Sequence, residues 1–413
     1  MTKTTQYKNT AIGPIPTDWE VKKFGEVFNV FPTASYSRAD LGTNDETLYM
    51  HYGDIHTKYN YHLNVENSKL PTISNDKLKK YELVQDGDLI ISDASEDYDG
   101  VGKAIEVINL GNNKMISGLH TFLARDKNQV FARLFKGYIG LNGEVVKQFR
   151  KLATGTKVYS ISKDSLLNIY IPLPPLPEQQ KIAEILSTWD KAIQETDAII
   201  KKLEDRNKAL AFSLLTGKKR VKGFEDKWDN YKLEYFFEEY SSKPKQNTDL
   251  PVFTSSKNGL MSQSDYYSGG RISTRENVDY NIIPRNYITY RSRSDDGLFT
   301  FNKNTAGYDG LISGYYPVFK VVNGNDNFFL YYLNFFKTKL TKYSTGTSQL
   351  VLSFKALKSA TFNLPSLEEQ NAIAEILNTA NQEVKQYQQK LEALKLQKKG
   401  LMQQLLTGKV RTV

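Results

Sequence analysis

The sequence predicts a mixed α/β (α+β) fold: two globular domains separated by two long antiparallel coiled-coil helices, arranged as a pseudo-twofold internal repeat. Three observations predict it. A mid-chain segment recurs later without a gap. Both copies carry the same heptad pattern. The stretches preceding the copies diverge but keep one order of strands, helix and turn.

The repeat comes first, because self-similarity at a fixed period governs every later assignment. Residues 174–186 read PPLPEQQKIAEIL and residues 365–377 read PSLEEQNAIAEIL, an offset of 191. LLTGK at 214–218 returns at 405–409, and Gly155-Thr156 returns as Gly346-Thr347, both at the same offset. Trp19 in PTDWEVKKF and Trp228 in EDKWDNYKL lie 209 apart, so the second copy is shorter between its Trp and its Pro by the difference between the two offsets. One element varies in length and the other does not. The domains divide as 1–175 and 218–364, each globular, with helices over 176–217 and 365–413.

The constant element reads as a coiled coil. Its first seam is Ile182, Leu186, Trp189, Ile193, Thr196, Ile200, Leu203, Asn207, Leu210 and Leu214. Its second is Ile373, Leu377, Ala380, Val384, Tyr387, Leu391, Leu394, Lys398, Leu401 and Leu405, with identical 4,3 spacing. Such a pattern buries one stripe of each helix against a partner. Pro174, Pro175 and Pro177 open the first helix, where proline is tolerated. Ser366 and Glu369 suit a capping box, and Gly217 and Gly408 suit C-terminal caps. Antiparallel pairing within one chain sets Ile182 against Leu405, Trp189 against Lys398 and Asn207 against Ala380. From Ile182 to Leu214 such a rod measures about 48 Å at about 1.5 Å per residue. That is the scale of one DNA turn, about 34–36 Å.

The divergent stretches read as short strands and turns. Alternation marks 47–55, 87–95 and 102–110 in the first, and 285–293 and 315–322 in the second. Short helices are expected at 133–152 and 327–342, each just before a TGT triplet.

Composition narrows the function. The 413 residues are 39% hydrophobic and 24% charged, with no cysteine, which removes disulfides, thiolate nucleophiles and cysteine-held zinc. The net charge of +9, with 26 Tyr and 21 Phe, leans towards nucleic acid. The N-terminal MTKTTQYKNTAIGP lacks the apolar core of a signal peptide, and no 18-residue apolar run exists, so a cytoplasmic protein with no membrane partner is expected. There is no G-x-x-x-x-G-K-[ST], no G-x-G-x-x-G after a strand and no N-P-P-Y-type tetrapeptide. His51, His56, His62 and His120 lack metal-ligand spacing, and His51 and His56 suit base or phosphate contacts better. No catalytic, metal or cofactor residue is assigned.

These residues resemble the type I restriction–modification specificity subunit over nearly the whole chain. The carriers are Trp19 and Trp228 with the acid that follows each, the TGT turns at 154–156 and 345–347, PLPPLPEQ at 172–179, EQNAIAEIL and LLTGK. Glu368 stands where Pro177 stands in the first copy. The resemblance implies two target-recognition domains reading a bipartite, asymmetric site in double-stranded DNA, one half each. It implies two modification (methyltransferase) subunits held by the helices and restriction (translocase/nuclease) subunits that join for cleavage. S-adenosylmethionine and ATP are then expected on those partners and not on this chain, which is expected to be non-catalytic. A coiled-coil scaffold for proteins, or a solitary DNA-binding regulator, is the alternative.

Candidate readers are polar side chains on loops able to enter a groove. In the first domain they are Tyr36, Ser37, Arg38, Tyr52, His56, Thr57, Lys58, Ser92, Ser95 and Tyr98. Asp93, Glu96 and Asp97 make that last loop acidic; it accepts from cytosine N4 or is a solvated turn. In the second they are Ser255, Ser256, Lys257, Asn258, Arg291 and Arg293; the two arginines are expected on opposite strand faces, with only one facing a groove. Glu178, Gln179, Glu184, Glu369, Gln370 and Glu375 are identical between copies yet lie off the seam, as a partner bound twice requires. Recent duplication with little drift is the other explanation.

Overall fold

The computed structural model describes residues 5–78, 81–246, 248–266 and 279–412. It divides into two compact units, Met1–Asp197 with Lys390–Val413, and Ala198–Gln389. A central helix, Leu176–Leu215, and a distal helix, Leu367–Leu405, each contribute a length to both units.

In the first unit, a five-stranded sheet runs in the order Phe28–Phe31, Thr121–Asp126, Leu89–Ser92, Ala104–Ile108, His62–Asn64. Every neighbour pair is antiparallel except the last. Fully buried Ile90, Ile105 and Leu123 share one core of that unit. The strand Glu20–Lys23 pairs with Tyr170–Leu173, which brings Trp19 to the start of the central helix. In the second unit, Phe237–Glu239, Val318–Val321, Ile288–Tyr290 and Phe301–Lys303 form an antiparallel four-stranded sheet. Its core is aromatic, with Phe299, Phe301, Phe319, Phe328 and Phe329 fully buried. Asp229–Lys232 pairs with Thr361–Leu364, repeating the Trp-to-helix connection.

Each unit holds an antiparallel length of both helices. Ile182 and Leu186 share a core with Leu401 and Leu405 in the first; Leu210 and Leu214 share one with Ile373 and Leu377 in the second. Asn207 Nδ2 donates to the Ala380 carbonyl at 2.8 Å, which fixes the expected register directly. The Trp189–Lys398 pairing needs correction. Lys398 is buried, but its ammonium bonds Asp190 and lies over the rings of Tyr61 (3.7 Å) and Tyr138 (5.3 Å). The globular part of the unit supplies the aromatic cage, so a seam pattern alone could not name it.

Helix ends follow from capping with one exception. Gly217 and Gly408 adopt φ of +69°, with Lys219 and Val410 N–H reaching back to the Ser213 and Gln404 carbonyls. Ser366 caps the distal helix, but the Glu369 carboxylate does not return to it; it takes the Trp228 indole and Arg220 instead. Expected elements are also shortened, and the helix at 327–342 breaks at Phe336 into Asp326–Phe335 and Lys337–Leu340. The 47–55 strand ends at Met50 and becomes a helix over Tyr52–Thr57, because the His51 imidazole accepts the Gly53 N–H as an N-cap. The helix at 133–152 breaks into Lys136–Ile139 and Gly143–Leu152, recapped by Asn142. No helix among the described residues is long and apolar enough to cross a membrane.

Candidate nucleic-acid interface

Each unit carries a hydrogen-bonded knot of Trp, Glu and Arg at the start of its long helix, around a buried carboxylate. In the first unit, Trp19 Nε1 donates to Glu178 at 2.8 Å, and Arg411 holds Glu178 and Asp18 with both edges of its guanidinium. In the second, Trp228 Nε1 donates to Glu369 at 3.0 Å and Arg220 holds the same carboxylate at 2.6 and 2.7 Å. A carboxylate at most 1% exposed is tolerated only when paired and hydrogen-bonded, and both are. Arg411 is pushed up by its bonds to Glu178 and Asp18, and Asp18 is held below the usual carboxylate range chiefly by Arg411. Arg220 and Arg411 stand at the 191 offset, in LLTGKKR and LLTGKVR, so this pair was visible in the sequence and missed.

The knot corrects the partner-surface expectation. Glu178, Gln179, Glu369 and Gln370 are buried. Gln179 bonds Ala132 N and the Val130 and Pro174 carbonyls; Gln370 bonds Asn325 N and the Pro365 carbonyl. Their identity between copies reflects one internal frame built twice. Glu184 and Glu375 are exposed and remain available to a partner.

In the first unit, Tyr52, His56 and Thr57 share one short helix, and Lys58 is its C-cap. The Tyr52 ring lies among His51 (4.8 Å), His120 (5.3 Å) and His56 (6.1 Å). Burial, reinforced by Arg38, holds His51 below the usual imidazole range, which suits its role as a neutral acceptor for Gly53. Arg38 and Lys58 both hold buried Asp54, at 3.1 and 2.9 Å, while remaining half exposed. Ser37 caps its own turn through Asp40, and the Tyr36 hydroxyl donates to the Lys77 carbonyl. Thr57 bonds the Gly53 carbonyl, and exposed Tyr98 bonds the Arg150 carbonyl. His62 lies apart, against the Leu134 carbonyl.

Three serines leave the reading surface. Ser92 and Ser95 are buried, Ser92 between His56 (2.9 Å) and the Ala94 carbonyl, Ser95 accepting from Asp97 N. Ser255 is buried and accepts from Asn302. Ser92 and Ser95 lie on strands buried at every position, whereas Ser255 falls on the inward parity of an alternating strand, where a one-residue error reverses the face.

In the second unit, a hairpin, Phe253–Ser256 with Gly259–Ser262, places Ser256, Lys257 and Asn258 at the rim of a cleft of about 570 Å³. Arg291 and Arg293 both line it, correcting their assignment to opposite faces. Residues two apart on extended chain share a face, and exposure alternates accordingly: Arg291 and Arg293 are exposed, Ser292 and Ser294 buried. The Arg293 guanidinium lies 5.3 Å from the centre of the Tyr315 ring. Lys257 pairs with Asp296 at 2.5 Å, and the Lys257 and Ser294 bonds hold that carboxyl well below its ordinary range. An adjoining groove of about 760 Å³ carries Lys257, Lys303, Lys337 and Asn334, with no carboxylate in its lining. Tyr315, Lys303 and Lys337 were not predicted; only the fold gathers them.

The two surfaces occupy equivalent places. Ala94–Ser95 pairs with Tyr159–Ser160, and Arg293–Ser294 pairs with Leu350–Val351, partners that are themselves 191 apart. Ser92 and Ala94 therefore correspond to Arg291 and Arg293. In the first unit that face is buried, with His56 of the short helix on Ser92; in the second it is open.

Comparison with known proteins bears on both surfaces. The family model of the type I restriction modification DNA specificity domain matches twice, over residues 16–205 and 225–396. The specificity subunit assigned to the type I restriction enzyme MjaX of Methanocaldococcus jannaschii is 27% identical, across 99% of this chain and 97% of the relative. That of MjaVIII from the same organism is 26% identical, across 96% and 94%. The crystal structure of a type I restriction–modification S subunit from M. genitalium shares the fold with a TM-score of 0.55 at 14% identity, across 94% of this chain and 96% of the other. A chain from a structure on complex assembly and conformational transition of the type I R-M system gives 0.54 at 15%, across 96% and 99%. With its matched domain present twice over most of its length, the chain belongs to the type I restriction–modification DNA specificity family.

Proposed function

We propose that this chain is the DNA-specificity subunit of a type I restriction–modification complex, reading a bipartite, asymmetric duplex site with one unit on each half. The observation that carries this is the pairing of one frame with two unlike faces. The Trp–Glu–Arg knot and the helix pair recur, while the equivalent surface is a histidine–tyrosine cluster in one unit and an arginine cleft in the other. A protein that binds one ligand twice needs two like faces; one that reads two different half-sites needs two unlike ones. The paired helices act as the spacer, which the gapless 191 offset supports.

Two modification subunits dock on the repeated helix surface around Glu184 and Glu375, and restriction subunits join that assembly. Adenine methylation and cleavage, with S-adenosylmethionine and ATP, belong to those partners. The chain works in the cytoplasm, where its DNA lies. Sequencing the methylome of a host expressing the chain with its modification subunits tests this. A bipartite methyladenine motif is expected, and exchanging residues 1–175 for those of a relative changes one half only. A palindromic motif, or both halves changing together, refutes it.

A further inference from the structure

Most arginines among the described residues are engaged internally. Among the described residues, Arg38, Arg125, Arg133, Arg150 and Arg411 of the first unit, and Arg206 and Arg220 of the second, hold carboxylates. Arg285, Arg291 and Arg293 hold none among the described residues, and of these Arg291 and Arg293 line the cleft, where two carboxylates lie beside them. Those carboxylates are engaged elsewhere: Asp296 by Lys257 and Ser294, and Asp295 by Gln349 at 2.9 Å. Two guanidiniums thus line one open cleft, one of them 5.3 Å from the centre of the Tyr315 ring.

We infer that Arg291 and Arg293 are the base-reading residues of the second unit and that they read guanine. This rests on the DNA-reading function proposed above and goes beyond it by naming the residues and the base. Three features select base edges over phosphates. A guanidinium fork matches guanine O6 and N7 bidentately, and the Tyr315 ring, 5.3 Å from the Arg293 guanidinium, gives that side chain a cation–π partner that restrains it. Asp295 and Asp296 in the same cleft repel a phosphate but can accept from cytosine N4, the partner of the guanine being read. Phosphates have a better place beside it, the groove that carries Lys337 and no carboxylate in its lining, where Lys303 is already taken up by Asp326. In the first unit the equivalent residues, Ser92 and Ala94, are buried, so guanine reading by this strand is particular to the second half-site.

The test uses the complex of this chain with its modification subunits, carrying Arg291→Ala or Arg293→Ala. Each variant should lose discrimination at one G·C pair, in the half-site that an exchange of residues 1–175 leaves unchanged. Specific binding to the wild-type duplex should fall roughly ten- to a hundredfold. The slope of log affinity against log salt should stay unchanged, whereas loss of a phosphate contact lowers it by about one. The other half-site, read in the same variant, reports that the chain is folded and assembled. A uniform loss across all sequences with a shallower salt slope overturns the inference, as does an unaltered motif. If the unsubstituted complex methylates no bipartite motif, the DNA-reading function itself falls; an intact motif in both variants defeats only the guanine assignment.

Discussion

The Lys398–Asp190 pair is the most exposed of these assignments to measurement. Its side chains are 4% and 17% exposed, and Asp190 also accepts from the Tyr138 hydroxyl at 2.6 Å. Removing one partner of a buried pair costs about 3–5 kcal/mol, because the other charge is left without compensation. Lys398→Met keeps most of the aliphatic stem against Tyr61 and leaves Asp190 one hydrogen bond and some water, so its cost lies near the low end, about 3 kcal/mol. Asp190→Ala strands the ammonium among two rings. That cost has a ceiling, because the lysine can deprotonate: neutralising it at pH 7 costs about 4.6 kcal/mol, the product of about 3.4 pH units and about 1.36 kcal/mol per unit.

The sign of the pH dependence follows. Burial already lowers Lys398 from its ordinary value, with Asp190 opposing. Without Asp190 the folded value drops further, so across that window the unfolded chain binds one more proton and stability rises with pH, by up to about 1.4 kcal/mol per unit. Urea unfolding of the full chain followed by tryptophan fluorescence, in a double-mutant cycle at several pH values, measures both. A coupling energy below about 0.5 kcal/mol, or an Asp190→Ala variant whose stability is flat between pH 7 and 10, refutes the buried pair.

The remaining predictions use the same unfolding assay. Gly408→Ala should cost about 3 kcal/mol and Gly217→Ala about 1; both have φ of +69°, but a Cβ at 408 meets the Pro16 ring at 2.4 Å while one at 217 meets only Trp228 at 3.6 Å. Equal costs would show that the close approach to Pro16 is absent. Asn207→Leu removes the bond to the Ala380 carbonyl, and should cost about 1–2 kcal/mol and permit the helix pair to slip, seen as a change in site-specific cross-linking between positions 203 and 384. Burial raises Tyr61 to about 12 and raises Tyr138, Tyr290 and Tyr332 as well. Their contribution is therefore complete below the unfolded value of about 10 and lost as pH climbs above it. Tyr290→Phe should flatten that alkaline loss, and an unchanged alkaline limb refutes its burial.

Periodicity made the helices legible, since a seam of 4,3 spacing is a property of consecutive residues. It predicted the Asn207–Ala380 contact outright. It failed at Lys398 because the cage comes from Tyr61 and Tyr138, far earlier in the chain, where no local pattern points. Glu178 and Gln179 failed differently. Off-seam charge normally lies in solvent, so burial was not the natural assumption. The signal that could have found it was chemical: Trp19, Glu178 and Arg411 recur together as Trp228, Glu369 and Arg220. Three residue types that form one hydrogen-bonded knot, repeated at matching places, signify an internal contact more readily than a surface. Ser92 and Ser95 failed because their short strands are buried on both faces, and Ser255 failed because alternation gives a strand two faces without saying which is covered.

That last ambiguity also explains how one frame presents two chemistries. The extended segment carrying Ser92 and Ala94 and the one carrying Arg291 and Arg293 are anchored by equivalent partners, Tyr159–Ser160 on Ala94–Ser95 and Leu350–Val351 on Arg293–Ser294. In the first unit the helix Tyr52–Thr57 covers that face, through His56 on Ser92 and the Ala94 carbonyl. The polar groups facing outward there are then the helix's own, Tyr52, Thr57 and Lys58. In the second unit the face is open, and the strand's own arginines project from it. Covering or uncovering a single strand therefore changes which element offers side chains, without touching the knot or the helix pair. A surface altered in this way can diverge freely while the frame that sets its position stays constant, and the two copies show that combination: a helix repeated without a gap, and a domain whose length differs between them.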